Sequence, residues 1–175
     1  MRGVLVEEWT TFDQLRLQDL DKPQVPDNGL LIRTQAAGIS FATSLVVQGK
    51  YQRKPPLPFS PGTEVAGIVE QVGPAAGRFK PGDRVCAVLD WGGLAEFAPA
   101  LEVNVYQIPD TLEFSRAIVF TNSYATSAAA LLWPHLLHLQ AVGLPHHFGG
   151  SPGGKRRMIG PQPEVVTIDF VNLVT

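Results

Sequence analysis

Hydrophobicity of period two, broken by closely spaced turns, is the feature that most limits how this chain can fold. Apolar and polar residues alternate over Gly3 to Glu7, Leu15 to Leu20, Leu30 to Gln35, Glu64 to Val72, Arg84 to Leu89 and Leu94 to Ala98, the pattern of strands with one face buried. Between them stand Asp27-Asn28-Gly29, Pro61-Gly62, Gly73-Pro74, Pro81-Gly82-Asp83 and Gly92-Gly93. Glycine there supplies a positive φ and proline presets φ near about −65°, so each pair can reverse the chain. The expectation is a compact, mainly antiparallel β unit with short helices.

Two helical segments fit between and after these strands. Ser40 can cap the free N–H groups of the run FATSLVVQ, which Gly49 then ends in a left-handed conformation. From Gly93 to Gly143 the chain has no glycine, and the stretch SRAIVFTNSYATSAAALLW from Ser115 runs up to Pro134, which predicts one or two helices packed on the sheet. The composition then breaks. Residues 143–163 hold six Gly and four Pro in 21 positions with neither period, a segment that loses much backbone entropy on ordering and buries little. Beyond it EVVTIDFVNLV reads as one strand with no sequential neighbour to pair with.

Composition removes several function classes. The 175 residues suffice to bury a hydrophobic core without disulfides or metal. With 14 basic against 16 acidic side chains there is no positive excess to draw nucleic acid or anionic lipid. The single cysteine, Cys86, excludes an intramolecular disulfide and a four-cysteine zinc lobe by counting alone, and fits a reducing, cytoplasmic setting. No apolar run approaches the about 18 residues of a membrane span, and acidic residues interrupt the apolar start MRGVLVEEW, so neither a membrane segment nor a signal peptide is expected.

The blocks PGTEVAGIVEQVG (Pro61 to Gly73) and FKPGDRVCAVLDWGGLAEFA (Phe79 to Ala98) resemble, in this order, the medium-chain dehydrogenase/reductase superfamily. The stretch from Ala36 to Gly62 is similar to its zinc-independent quinone oxidoreductase branch. The resemblance runs from Met1 to about Leu137, through TNSYATSAAALLW. It implies a chaperonin-10-like, partly open β barrel over residues 1–137, followed over 138–175 by an atypical, poorly ordered Gly/Pro-rich tail. Family members continue into a Rossmann domain whose glycine-rich turn sets the cofactor pyrophosphate on a helix N-terminus. Nothing here matches that turn, so this domain is expected to be missing. The break after Leu139 or Gln140 then reads as a frameshift, altered splicing or an erroneous gene model.

Zinc-dependent relatives place a Cys at the position of Ser40 and a His at that of Thr63, and keep a Glu at that of Glu64. Hydroxyls are poor substitutes for thiolate and imidazole at Zn2+, so no zinc is expected. Chemistry without a Lewis acid suits hydride delivery to an acceptor that is already electron-poor, a quinone or the β carbon of an enone. The resemblance implies NADPH as the donor and makes Ser40, Tyr51 and Thr126 its contacts in this chain, although the branch often carries Asn where Ser40 stands. Each has a simpler role open to it: Ser40 a helix cap, Tyr51 a rim aromatic over the barrel, Thr126 a small residue for close helix packing. The expected function is the substrate-side domain of an NADPH-dependent quinone or enone oxidoreductase, inactive alone. The alternative is a non-enzymatic binding module, homo-oligomeric or associating with full-length relatives through apolar residues such as Phe120, Tyr124, Leu131, Leu132 and Trp133.

Three other signals carry less. His135, His138, His146 and His147 cluster in sequence, but Pro134 disrupts their helical face and no Cys or acid stands near. Gly149 to Lys155 satisfies a phosphate-loop spacing, yet Arg156 replaces the Mg2+-binding hydroxyl and no apolar strand precedes it. Lys155-Arg156-Arg157 reads as a solvated charge run, and Cys86, in a strand, as a small core residue.

Overall fold

A computed structural model describes residues 1–132 and 166–169. The described residues hold eight strands: β1 (Arg2–Val4), β2 (Leu17–Asp19), β3 (Gly29–Ile39), β4 (Glu64–Val72), β5 (Arg84–Val88), β6 (Phe97–Leu101), β7 (Val105–Gln107) and β8 (Val166–Asp169). The helices are α1 (Phe41–Val47), α2 (Phe114–Val119) and α3 (Ala125–Leu132), with a π-helical turn over Phe120–Tyr124 joining the last two. β1 and β2 form a two-stranded antiparallel pair, and the larger sheet runs β6-β3-β4-β5-β7. The sheets do not close on themselves, so the fold is the expected one: mainly β, a partly open barrel with short helices.

The alternation seen in the sequence sorts side chains onto two layers. In β5, Val85 and Ala87 join the barrel interior with Leu30, Ile32, Val65, Val69 and Leu94, while Cys86 between them faces the other way. There it packs with Ala36, Ala66 and Ile108 under Ala117 and Ile118 of α2. The phase slips once in β3. Its pairing with β4 shifts between Thr34 and Ala36, so the interior residues pass from the even positions Leu30 and Ile32 to the odd position Ala37, and Ala36 turns to the helix. An extra residue in one strand does this because the side-chain period is two.

The strands also depart from the sequence expectation in places. Leu94 to Ala98 is predicted as a strand, but the strand starts at Phe97, with Leu94 and Ala95 held instead by Val4 N–H donating to Leu94 O (2.8 Å) and an isolated bridge from Gly3 to Ala95. Gly3 to Glu7 likewise yields strand only to Val4, and Val6 bridges Phe59. β7 has no counterpart in the period-two reading because only Val105 of its three residues is buried. The strand read in EVVTIDF does find a partner, one far away in sequence: Val166–Asp169 pairs antiparallel with Ala36 to Ile39 of β3, past the end of β6. The rest of the expectation for residues 138–175, with the four histidines and the Gly149 to Lys155 loop, lies outside the described residues. Among the described residues no helix is long and apolar enough to cross a membrane.

Candidate functional site

The C-terminal end of β3, the start of β4 and the π-helical turn meet at one buried carboxyl. Glu64 is the first residue of β4 and only 4% exposed. It shares its strand face with Ala66, the face turned to α2. Space for it comes from Gly38 of β3: a Cβ there would stand 2.5 Å from Glu64 Oε2 and 2.9 Å from Ile118 Cγ2. Burial pushes the Glu64 carboxyl above the usual carboxylate range, and the polar side chain of Asn122, in the π turn, offsets part of that rise. The Cys86 thiol is also raised by burial, which suits a core residue rather than a reactive one.

The rise in Glu64 has a sign that stability measurements can read. Because the folded chain holds this proton more tightly than the unfolded chain, stability falls as pH climbs from the ordinary carboxylate range through the folded-state value. Below that window both states are protonated and the contribution is fully present. Glu64→Gln, which never ionises, is expected to lose this component, so its urea midpoint relative to wild type improves with rising pH across the window. Parallel midpoint profiles between pH 4 and 8 would show that burial does not govern this group.

Ser40 precedes α1 in extended geometry (φ −117°, ψ 168°) and caps it. Its Oγ accepts from Thr43 N–H at 3.3 Å, while Thr43 Oγ1 accepts from Ser40 N–H at 3.2 Å, a reciprocal capping box. Of its two readings the structure shows the helix cap, two residues from Gly38 on the chain. Tyr51 lies in the loop after α1 and is 37% exposed. Its loop is tied down two residues on by Arg53, whose guanidinium pairs with both oxygens of Asp90 and lies 5.5 Å over the Trp91 ring. Thr126 is exposed on α3, and its Oγ1 donates to Asn122 Oδ1 at 3.5 Å.

Ser40 stands two residues after Gly38 on the chain, and Thr126 is bonded to Asn122. No hydrogen bond or ion pair joins Tyr51 to either. Asn122 is the residue that sequence reasoning missed, since nothing in FTNSY announces a π turn. Glu64 carried a signal: it stands on the helix-facing side of β4 by period-two counting. Among the described residues no group of three or more His, Cys, Asp or Glu is placed to hold a metal ion.

Residues 26–110 match the alcohol dehydrogenase GroES-like domain. A quinone oxidoreductase of Pongo abelii is 38% identical over 143 residues, 81% of this chain and 43% of that relative. The N-terminal part of the chain is a quinone oxidoreductase-like member of the medium-chain dehydrogenase/reductase superfamily. The solved structure of human synaptic vesicle membrane protein VAT-1 homolog-like protein superposes on this chain with a TM-score of 0.72 at 34% identity, covering 78% of this chain and 44% of that one. The quinone oxidoreductase of Thermus thermophilus, solved also in complex with NADPH, gives 0.65 at 29% identity over 77% of this chain and 41% of its own. The chain thus spans under half the length of these relatives.

Proposed function

We propose that residues 1–132 form the substrate side of an NADPH-dependent, zinc-independent oxidoreductase that reduces a quinone or enone. The observation that carries this reading is the state of the two positions flanking Glu64. Where zinc-dependent members of the superfamily have Cys and His, this chain has Ser40, whose hydroxyl is engaged in the α1 capping box, and Thr63. Neither offers the anionic sulfur or imidazole that Zn2+ prefers. The similarity to quinone oxidoreductases supports the same choice of chemistry.

The exposed residues Tyr51 and Thr126 carry hydroxyls that suit contacts to the polar end of a nicotinamide ring, and Ser40 has Oγ lone pairs only partly used by its cap. When bound, NADPH supplies hydride to an electron-poor carbon of the substrate. These residues orient and exclude water. The described residues supply one wall of a cleft, and the 175-residue polypeptide alone is inactive on this reading.

Two measurements test it. Titrating the polypeptide with NADPH is expected to give no saturable change in cofactor fluorescence, and micromolar saturation would overturn the claim of inactivity alone. Joining residues 1–132 to the cofactor-binding half of the Pongo abelii quinone oxidoreductase should yield quinone-dependent NADPH oxidation that a zinc chelator leaves unchanged. A folded chimera that binds NADPH but reduces no quinone would sink the assignment.

A second reading, a binding module, draws on the apolar wall beside the π turn. Phe120 and Tyr124 stack at 4.8 Å between centroids while 48% and 58% exposed. Phe120 also lines a cavity of about 610 Å³ with Tyr106, Ile108 and Leu112. It loses ground if the polypeptide sediments as a clean monomer while the chimera is active.

A further inference from the structure

The dipeptide Asn28-Gly29 occurs once in the sequence and stands in the turn that opens β3, with Asn28 exposed and Gly29 buried. An asparagine followed by glycine carries its own nucleophile, because no Cβ on the second residue hinders the rotation that brings its backbone nitrogen to the side-chain amide carbon. In that closure a bond forms from Gly29 N to Asn28 Cγ, and the Cγ–Nδ2 bond breaks. The Gly29 amide proton leaves with the side-chain nitrogen as ammonia, and a five-membered imide remains. Solvent water then opens the imide. Opening at the side-chain carbonyl leaves aspartate, and opening at the main-chain carbonyl leaves isoaspartate, whose chain runs on through Cγ.

The fold holds the attacking nitrogen elsewhere. Asn28 C=O and Gly29 N–H belong to one planar peptide, and both ends of that plane are bonded. Gly29 N–H donates to Pro26 O at 3.0 Å, and Asn28 O accepts from Glu102 N–H at 3.1 Å. Ring closure turns this plane, so it breaks both bonds. The residues on either side are pinned as well: Ala75 N–H donates to Asp27 O and Gly73 N–H to Gly29 O, each at 2.8 Å. β6 leaves no slack above the turn, since a Cβ on Gly29 would stand 2.3 Å from Ala100 O. Glu102 is anchored in its turn, its Oε1 accepting from Gly77 N–H at 2.8 Å and Arg78 N–H at 2.6 Å.

We propose that Asn28 is a self-modifying site silenced by the fold, so that its deamidation marks chains in which the β3–β6 edge has opened. The mark is one-way. Isoaspartate adds one carbon to the main chain between the Asp27 and Gly29 carbonyls, which Ala75 and Gly73 hold in place, so a marked chain does not rebuild the turn with all four bonds. The only reagent is water, and the chemistry is independent of hydride transfer.

The test uses the 175-residue chain at mildly alkaline pH, once native and once in guanidinium chloride. Mass spectrometry of the peptide containing Asn28 gives the deamidation rate, and hydroxylamine, which cleaves the imide, reads the intermediate as fragments 1–28 and 29–175. The native rate is expected to be at least about tenfold below the unfolded one, as for any reaction that needs local opening. Glu102→Pro removes the N–H that holds Asn28 O. It places proline at the first position of a 3-10 turn, after an extended Leu101 (φ −69°, ψ 135°), where proline fits. With the circular dichroism of the folded chain, this variant should deamidate severalfold faster than wild type. Equal native and unfolded rates in wild type, an unfolded chain that keeps its Asn28 amide, or a folded Glu102→Pro chain with the wild-type rate would each overturn the proposal. If Glu102→Pro does not fold, the wild-type comparison decides alone.

Discussion

Replacing Gly62 by alanine is expected to lower the melting temperature of the chain by about 10 °C. Gly62 has φ +95°, a region that side-chain-bearing residues avoid, and a Cβ there would meet Leu94 N at 2.9 Å. The neighbouring backbone cannot yield easily. Gly93 N–H donates to Gly62 O at 3.0 Å and Leu94 N–H to Pro61 O at 2.8 Å, so moving the turn breaks the bonds that fix it. A left-handed residue costs about 1–3 kcal/mol and overpacking a similar amount; taking about 3 kcal/mol in all gives the stated shift for a domain of this size. The turn leads directly into Thr63 and Glu64, so the variant should also disturb the Glu64 titration. A melting curve within about 2 °C of wild type would show that the Pro61-Gly62 turn relaxes without cost.

Leu30→Ala should cost about as much by a different route. Leu30 is 0% exposed and belongs to the barrel interior with Ile32, Val69 and Ala100. On its strand it pairs with Val72 on one side and Ala100 on the other, so the vacated volume is bounded by backbone that two ladders hold in place. Loss of transfer energy together with a residual cavity amounts to about 2–5 kcal/mol for such a site. Urea unfolding should show a lower midpoint with an unchanged slope. A loss below about 1 kcal/mol would mean that the open barrel collapses to fill the space.

The barrel was legible because its information is local. Period-two alternation located β3, β4 and β5, and by itself it assigns Val85 and Cys86 to opposite layers. It failed where strands are short or shared. β7 presents one buried residue in three, too few to show a period, and β8 has a partner more than a hundred residues away, which no local pattern reveals. At the site the division is similar. Ser40 was found as a cap because capping is written in adjacent residues. The burial of Glu64 depends on Gly38 of the neighbouring strand leaving room beside it, which is a tertiary fact.

That turn has a rotational consequence. A helix advances about 100° per residue, and a π turn widens one loop of the ladder by a single residue. The side chains of α3 are therefore turned by about that angle from where an unbroken helix continuing α2 would carry them. α2 sets Ala117 and Ile118 into the sheet, while Asn122 through Ala128 are all exposed. One residue's worth of winding separates the part of the helix that belongs to the barrel from the part that faces outward. Removing a single residue between Phe120 and Tyr124 would swing Thr126 about a quarter turn around the helix axis without altering any amino acid of the barrel.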